Sequence, residues 1–400
     1  MQPDDLRRAF LRHVCQTSES PLGLVVARAE GASVWDADGR EYLDLLSGIG
    51  VAGVGHCNPE VVAAVRDQAE RYLHVMVYGE AVLEPQVRLA QRLAELAPGD
   101  LSTTFFCNSG AEAIEGALKL ARKATGRAGL VAFGGGYHGD TLGALSLCDS
   151  PRYRAPFEPL LANVAFLPFD RVEDLARIDE RVAAVVVEPI QGEGGVRVPS
   201  AEFLPALRAR CDAVGALLIF DEVMTGLGRT GAWFAAEHWG VTPDVLVLAK
   251  ALGGGLPLGG FIGRPELMKS LSHDPPLAHV TTFGGHPLSC AAGLAALEFA
   301  ARERLPARAA AVGEAWRARL AASLGPVLRA VRGRGLLIGL DLATSEHTRA
   351  FCREAFARGL ILNWTLHRDT VVRLAPPLII SEADSTRALD AIAAALAAAA

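Results

Sequence analysis

Two ionisable residues stand at the ends of apolar runs. Asp221 closes Ala216-Leu-Leu-Ile-Phe220 and opens the phrase DEVMTGLGRTG. Lys250 follows Val245-Leu-Val-Leu-Ala249 and precedes ALGGGLPLGG. Each run is short, apolar and β-prone, as a strand buried in a parallel sheet should be. The pair therefore stands at the C-terminal ends of two core strands, where open α/β sheets bind ligands. The amine can form a Schiff base, and the carboxylate can keep a pyridine nitrogen protonated so that the ring accepts electrons. Together they suit pyridoxal phosphate. The plainer reading of Lys250 is a lysine snorkelling to solvent. Against it, Ala249 and Ala251 are small, and Gly253-Gly-Gly-Leu-Pro-Leu-Gly-Gly260 makes a poor solvated face. An amine buried there has a depressed pKa, as a Schiff-base lysine needs.

Other phrases carry weaker signals. Asn108-Ser-Gly-Ala-Glu-Ala113 follows an apolar strand and opens a helix. Small residues there let backbone N–H groups approach an anion, so Ser109, Gly110 and Ala111 are phosphate candidates, or merely a helix cap. In Phe133-Gly-Gly-Gly-Tyr-His-Gly-Asp140, Tyr137 or His138 can lie flat on a pyridine ring, or the phrase is a flexible loop. Glu188 and Glu193, in Glu188-Pro-Ile-Gln-Gly-Glu193, are acid/base groups at a strand end or loop surface charge. Gly226-Leu-Gly-Arg-Thr-Gly231 matches G-x-G-x-x-G, but five residues from Asp221 separate it from its strand. A dinucleotide fingerprint follows its strand directly, and Asp221 would repel a pyrophosphate.

The elements that hold these residues alternate. Strand candidates are Thr103–Cys107, Leu130–Phe133, Val164–Leu167, Ala183–Val187, Leu217–Phe220 and Val245–Leu248, with helices such as Ala111–Lys123 and Phe203–Val214 between them. The pattern predicts an α/β fold with a mostly parallel sheet and helices on both faces. Ahead of it, Ala32–Gly39 reads as a strand running into a turn, and Asn58-Pro59 caps a helix over Val61–Leu73. Beyond about residue 290 come two helices, Cys290–Ala301 and Ala307–Leu324, then short strands and more helix. The expected division is 1–50 as a peripheral N-terminal segment, 51–290 as a large domain and 291–400 as a C-terminal domain.

Composition narrows the class. The 400 residues are half apolar, with a net charge of −6 and no basic run, so no nucleic-acid partner is expected. Seven scattered cysteines without a C-x-x-C or zinc spacing read as reduced thiols of a cytoplasmic protein with no metal. No stretch has the length of an apolar membrane span, and Ala391–Ala400 reads as a terminal helix.

Taken together, the phrases resemble the class-III, fold-type I aminotransferases, the group with ornithine, acetylornithine and 4-aminobutyrate aminotransferases. The likeness runs from Gly48-Ile-Gly-Val through Gly55-His56 to Arg373-Leu-Ala-Pro-Pro-Leu378. It implies a seven-stranded-type sheet between helices, with a small α+β domain made from both ends of the chain. It implies pyridoxal phosphate, an amino-acid or ω-amine donor (acetylornithine/ornithine-like or diamine-like), and 2-oxoglutarate or pyruvate as acceptor. Lys250 resembles the Schiff-base lysine that carries the proton between Cα and C4′, Asp221 the pyridinium partner, and Val223 the residue packed on the ring. Ser109, Gly110 and Ala111 resemble the phosphate cup. Tyr137 would stack on the ring with His138 beside it, and Glu188 joins the cofactor set. Thr282 resembles the threonine that reaches the partner subunit's cofactor phosphate, which implies a homodimer. Arg373 resembles the arginine for a substrate carboxylate, and Glu193 the glutamate that masks it. Tyr78 joins the donor set.

Three positions depart from that group. Met224 stands where a glutamine is usual, and His286 where an asparagine precedes Pro287. Asp140 stands where the ornithine and acetylornithine enzymes carry an arginine for the donor's α-carboxylate. Diaminopelargonate aminotransferases carry a GYHGDT phrase, as here. Asp140 therefore points to a cationic or amine donor and away from acetylornithine in the usual pose. A racemase or epimerase of the same fold would use the same residues but consume no keto acid. A non-catalytic vitamin-B6 carrier would bind without turnover.

Overall fold

In the computed structural model, residues 2–399 are described. A seven-stranded sheet forms the centre. Its order is Thr103–Cys107, Gly259–Gly263, Val245–Leu248, Leu217–Asp221, Val182–Val187, Gly129–Phe133 and Val164–Leu167. All strands run parallel except Gly259–Gly263, which is antiparallel to both neighbours. Every residue of Val182–Val187 and Val245–Leu248 is buried, which is why these strands read as unbroken apolar runs.

The six expected strands are present. Gly259–Gly263 was not among the expected strands. Its glycines are what the position demands: a Cβ on Gly259 would lie 2.2 Å from the Ser109 carbonyl oxygen, and one on Gly260 2.9 Å from that of Phe105. The helices fall close to their expected places. Ser109 caps Gly110–Thr125, its hydroxyl accepting from Glu112 N at 3.2 Å, and left-handed Gly126 ends it. Phe203–Val214 matches expectation and also ends on a left-handed glycine, Gly215. Asn58 caps Pro59–Arg71. The later helices are Pro287–Arg302, Leu305–Ala321, Ser345–Ala357 and Glu382–Ala398; Ala400, in the expected terminal helix, lies outside the described residues.

Two smaller four-stranded sheets flank the centre. Val26–Glu30, Ser33–Asp36 and Glu41–Asp44 form an antiparallel meander that Leu360–Ile361 extends in parallel. Leu328–Arg334, Leu337–Leu342, Val371–Leu374 and Asn363–Trp364 form the other, all antiparallel. One apolar core joins Ala32, Leu43 and Leu45 to Trp316, Phe351 and Ile392, so the two ends of the chain pack together. Pro287–Arg302 spans both cores, with Cys290 and Leu297 in the central one and Ala300 in the other. Among the described residues no cysteine is paired, no helix is long and apolar enough to cross a membrane, and no group of three metal-ligating side chains gathers.

Candidate active site

Asp221 is the last residue of its strand and Lys250 lies two beyond the end of the next. These strands are neighbours, with Asp221 opposite Val247. Both residues line a cavity of about 570 Å³ at the C-terminal edge of the sheet. The chain has four lysines. Lys119 and Lys123 are spent on the carbonyls of Ala278 and His273, and Lys269 is exposed. Lys250 is the one that faces the cavity. Its backbone is left-handed, with φ 49°, a strained setting for a long side chain. Burial lowers its pKa, Arg373 adds to that, and the carboxylates of Glu193, Asp221 and Glu188 oppose it without cancelling it.

Asp221 is held from both sides. Its Oδ2 bonds His138 Nδ1 at 2.7 Å, and its Oδ1 accepts from Val223 N at 3.1 Å. His138 and Asp221 are both buried. Burial alone would push the His138 pKa down; the Asp221 hydrogen bond and the charges of Asp221 and Glu188 outweigh it, leaving it above the ordinary value. Glu188 lies beside the pair, accepting from Tyr137 N at 3.0 Å and Gly192 N at 2.9 Å. Burial raises its pKa, against the pull of His138. The tight loop from Phe133 to His138 thus places Tyr137 by its backbone and His138 by its ring.

The opposite wall is a helix start. Ser109, Gly110 and Ala111 line the cavity where Gly110–Thr125 begins. First-turn N–H groups lack helical partners and face positive potential. The backbone packs tightly here. A Cβ on Gly110 would sit 3.1 Å from Val223 Cγ2, and one on Gly139 2.5 Å from Ala111 Cβ. Asn108 ties this corner to the segment before Thr282, its Nδ2 donating to Thr281 Oγ1 at 3.0 Å.

Further out, Asp140 is exposed and takes a hydrogen bond from Tyr137 Oη at 2.8 Å. Burial first, then Asp140, raises the Tyr137 pKa. Glu193 pairs with Arg373 through Oε1 and Nη1, and its Oε2 accepts from Leu366 N at 2.7 Å. Arg373 is 1% exposed and lies behind Glu193, which lines the cavity. Burial opposes ionisation of Glu193, but the Arg373 charge and the Leu366 N–H prevail and its pKa is lowered.

Not every expected residue meets this cavity. Tyr78 and Thr282 are exposed and do not line it. His286 stacks on His74, centroids 5.5 Å apart, outside the cavity. Met224 does line it, and also packs with Ile190, Val196, Leu337 and Ala375. The Leu366 N–H carried no sequence signal, and Val51 and Gly255–Leu258 lay in quoted phrases without an assigned role, because these roles arise from long-range packing or from backbone.

The sequence profile of the Aminotransferase class-III family matches residues 14–396. The chain belongs to the class-III aminotransferases. It is 46% identical to the acetylornithine aminotransferase of Methanopyrus kandleri over 96% of each chain. It is 43% identical to the putrescine aminotransferase of Pectobacterium atrosepticum, over 93% of this chain and 82% of that one. The ornithine aminotransferase of Toxoplasma gondii, described with pyridoxal phosphate at its active site, superposes with a TM-score of 0.93 at 33% identity, over 99% of this chain and 94% of that one. This class-III aminotransferase is a pyridoxal-phosphate-dependent transaminase of fold type I. Its own residues fit that cofactor: one cavity-facing amine, a buried acid backed by a histidine, and a helix start whose glycine a Cβ would crowd.

Proposed function

We propose that the donor is an amine bearing a second cationic or amine end, and that the acceptor is 2-oxoglutarate or pyruvate. One observation carries the donor class. The cavity is lined by the carboxyl groups of Asp140, Glu188, Glu193 and Asp221, against one amine, Lys250, and one imidazole, His138. A donor α-carboxylate placed near Asp140 would be repelled, and a second amine attracted. The likeness to a putrescine aminotransferase supports the same class.

Pyridoxal phosphate, when bound, supplies an aldehyde carbon and an electron-accepting pyridine ring. Lys250 is the covalent anchor in this reading. Freed from that bond, its Nζ would be the base that carries the donor Cα proton, a role that a lowered pKa favours. Asp221, oriented by His138, holds the proton on the pyridine nitrogen. Gly110 and Ala111 N–H groups and the Ser109 hydroxyl would hold the phosphate at the helix start. Val223 and Tyr137, both on the cavity wall, would pack against the ring, and Glu188 fixes the Tyr137 backbone. Glu193 neutralises Arg373 while a donor without a carboxylate is bound, because a bare buried guanidinium is costly. It swings out when the acceptor brings a carboxylate to Arg373.

The working unit in this reading is a homodimer in which Thr282 and Tyr78 reach the partner's cavity. Met76, Val82, Leu277, Val280 and Phe283, on the same two segments, are exposed apolar side chains that a partner would cover. A division into 51–290 as the large domain, with 1–50 and 291–400 as the smaller part, follows the two apolar cores. The unpaired cysteines suit the cytoplasm.

Steady-state kinetics on an amine panel test the donor class. Diamines should outperform acetylornithine, and Asp140→Ala should cost diamines roughly tenfold in kcat/KM. Strong acetylornithine activity, undiminished in Asp140→Ala, contradicts it.

A further inference from the structure

The wall beside Lys250 contains backbone of rare conformation. Ser47, Gly48, Ile49 and Gly50 have φ of 53°, 58°, 67° and 78°. Four successive residues therefore turn left-handed. Single residues do this routinely; a run does not, because each Cβ crowds a carbonyl oxygen. Two of the four, Ser47 and Ile49, carry side chains, and Ile49 is 44% exposed, so its burial does not compensate.

Asp44 holds the turn. Its buried carboxylate accepts from Leu46 N through Oδ1 and from Gly48 N through Oδ2, both at 2.9 Å. His56 Nε2 meets the same Oδ2 at 2.9 Å. His56 is itself pinned by backbone hydrogen bonds with Gly31 in both directions, at 2.8 and 3.0 Å. Ser47 Oγ donates to the Ala375 carbonyl at 2.6 Å. At its far end the turn runs close beside the reactive lysine, with no room to spare for a side chain at Gly50. A Cβ on Gly50 would lie 2.9 Å from Met224 Sδ and 3.6 Å from Lys250 Cδ, and Val51 lines the cavity. A lysine stem has several rotamers to lose, and Ala249 and Ala251 offer it little to lean on. On this side the space beside the stem is bounded by Gly50.

We infer that Asp44, braced by His56, is a positioning residue for Lys250: it holds the left-handed turn 47–50 against the lysine stem and so fixes where Nζ stands. The inference rests on Lys250 being the covalent anchor. Asp44 touches no reacting atom. It also faces the buried guanidinium of Arg229, which donates to the Leu336 and Pro376 carbonyls, so a purely structural role must be separated.

The test follows covalent capture of pyridoxal phosphate by apoenzyme, read from visible absorbance. Binding of pyridoxine 5′-phosphate, which lacks the aldehyde, is measured beside it. Asp44→Asn should slow capture roughly tenfold and change pyridoxine phosphate binding by less than about twofold. Adding Ile49→Gly to Asp44→Asn should restore most of the rate, because glycine adopts the left-handed turn freely. His56→Gln should give a smaller defect of the same kind, and serves if Asp44→Asn does not fold. Wild-type capture in both variants overturns the inference, as does equal loss for both ligands or no rescue by Ile49→Gly. Lys250→Ala separates the two levels. If it still captures the cofactor covalently, the anchor assignment fails; if it does not, while Asp44→Asn captures normally, only the clamp fails.

Discussion

At the sheet end of the cavity, Asp221 and His138 are bonded at 2.7 Å, both buried, and Lys250 stands on the adjoining strand end. At the outer end, Asp140 is exposed, Glu193 is gripped by one backbone N–H and one arginine, and Tyr78 and Thr282 do not line the cavity. The first region is built from rigid strand termini and offers one arrangement. The second is built from loops and one ion pair to the strand residue Arg373. The contrast suits a transaminase: its chemistry is the same in both half-reactions, while its substrates differ.

The largest effect should come from Lys250→Ala, which removes the proposed anchor and proton carrier together. Single-turnover rates should fall roughly a thousandfold or more. Residual turnover near wild type would move the chemistry away from the strand ends.

Asp221→Asn comes next. It keeps the shape but removes the charge proposed to face the pyridine nitrogen, so kcat should drop roughly a hundredfold and cofactor retention should weaken. A change confined to donor KM would put Asp221 in the other region.

Glu193→Gln should act on stability and on donor choice. Breaking a buried pair leaves a bare charge; with 14% of the Glu193 side chain still exposed, about 1–3 kcal/mol in apoenzyme unfolding is reasonable. The Glu193 pKa is depressed, so its contribution is present above ordinary carboxylate values and is lost as pH falls through the folded value. The gap between wild type and variant should close in acid. Carboxylate-free amines should lose more activity than dicarboxylic acceptors.

The smallest expected effect is the pH dependence of the His138–Asp221 pair. The His138 pKa is raised, so its stabilisation is full below the ordinary imidazole value and fades as pH rises through the folded one. Denaturation of wild type and His138→Asn across that range should show the wild-type advantage shrinking upward. An advantage that grows with pH would reverse the assignment.

The two regions also differ in how much the sequence disclosed. Asp221 and Lys250 were legible because a buried strand writes itself as an apolar run, and each is the first polar residue after one. The seventh strand, Gly259–Gly263, was hidden because close approach to Phe105 and Ser109 demands the glycines that elsewhere mark a loop. The Glu193–Arg373 pair rested on family likeness, since no local pattern links residues so far apart in the chain. The Leu366 N–H on Glu193 and the Asp44 clamp rest on backbone placement, which side-chain identity does not encode.

Borohydride reduction of the holoenzyme, followed by peptide mapping, tests the central claim most directly. With four lysines in the chain, the outcome is unambiguous. The account predicts that the cofactor label is found on Lys250 and that no label forms in Lys250→Ala. Label on Lys119, Lys123 or Lys269, or none on the wild-type holoenzyme, would contradict it.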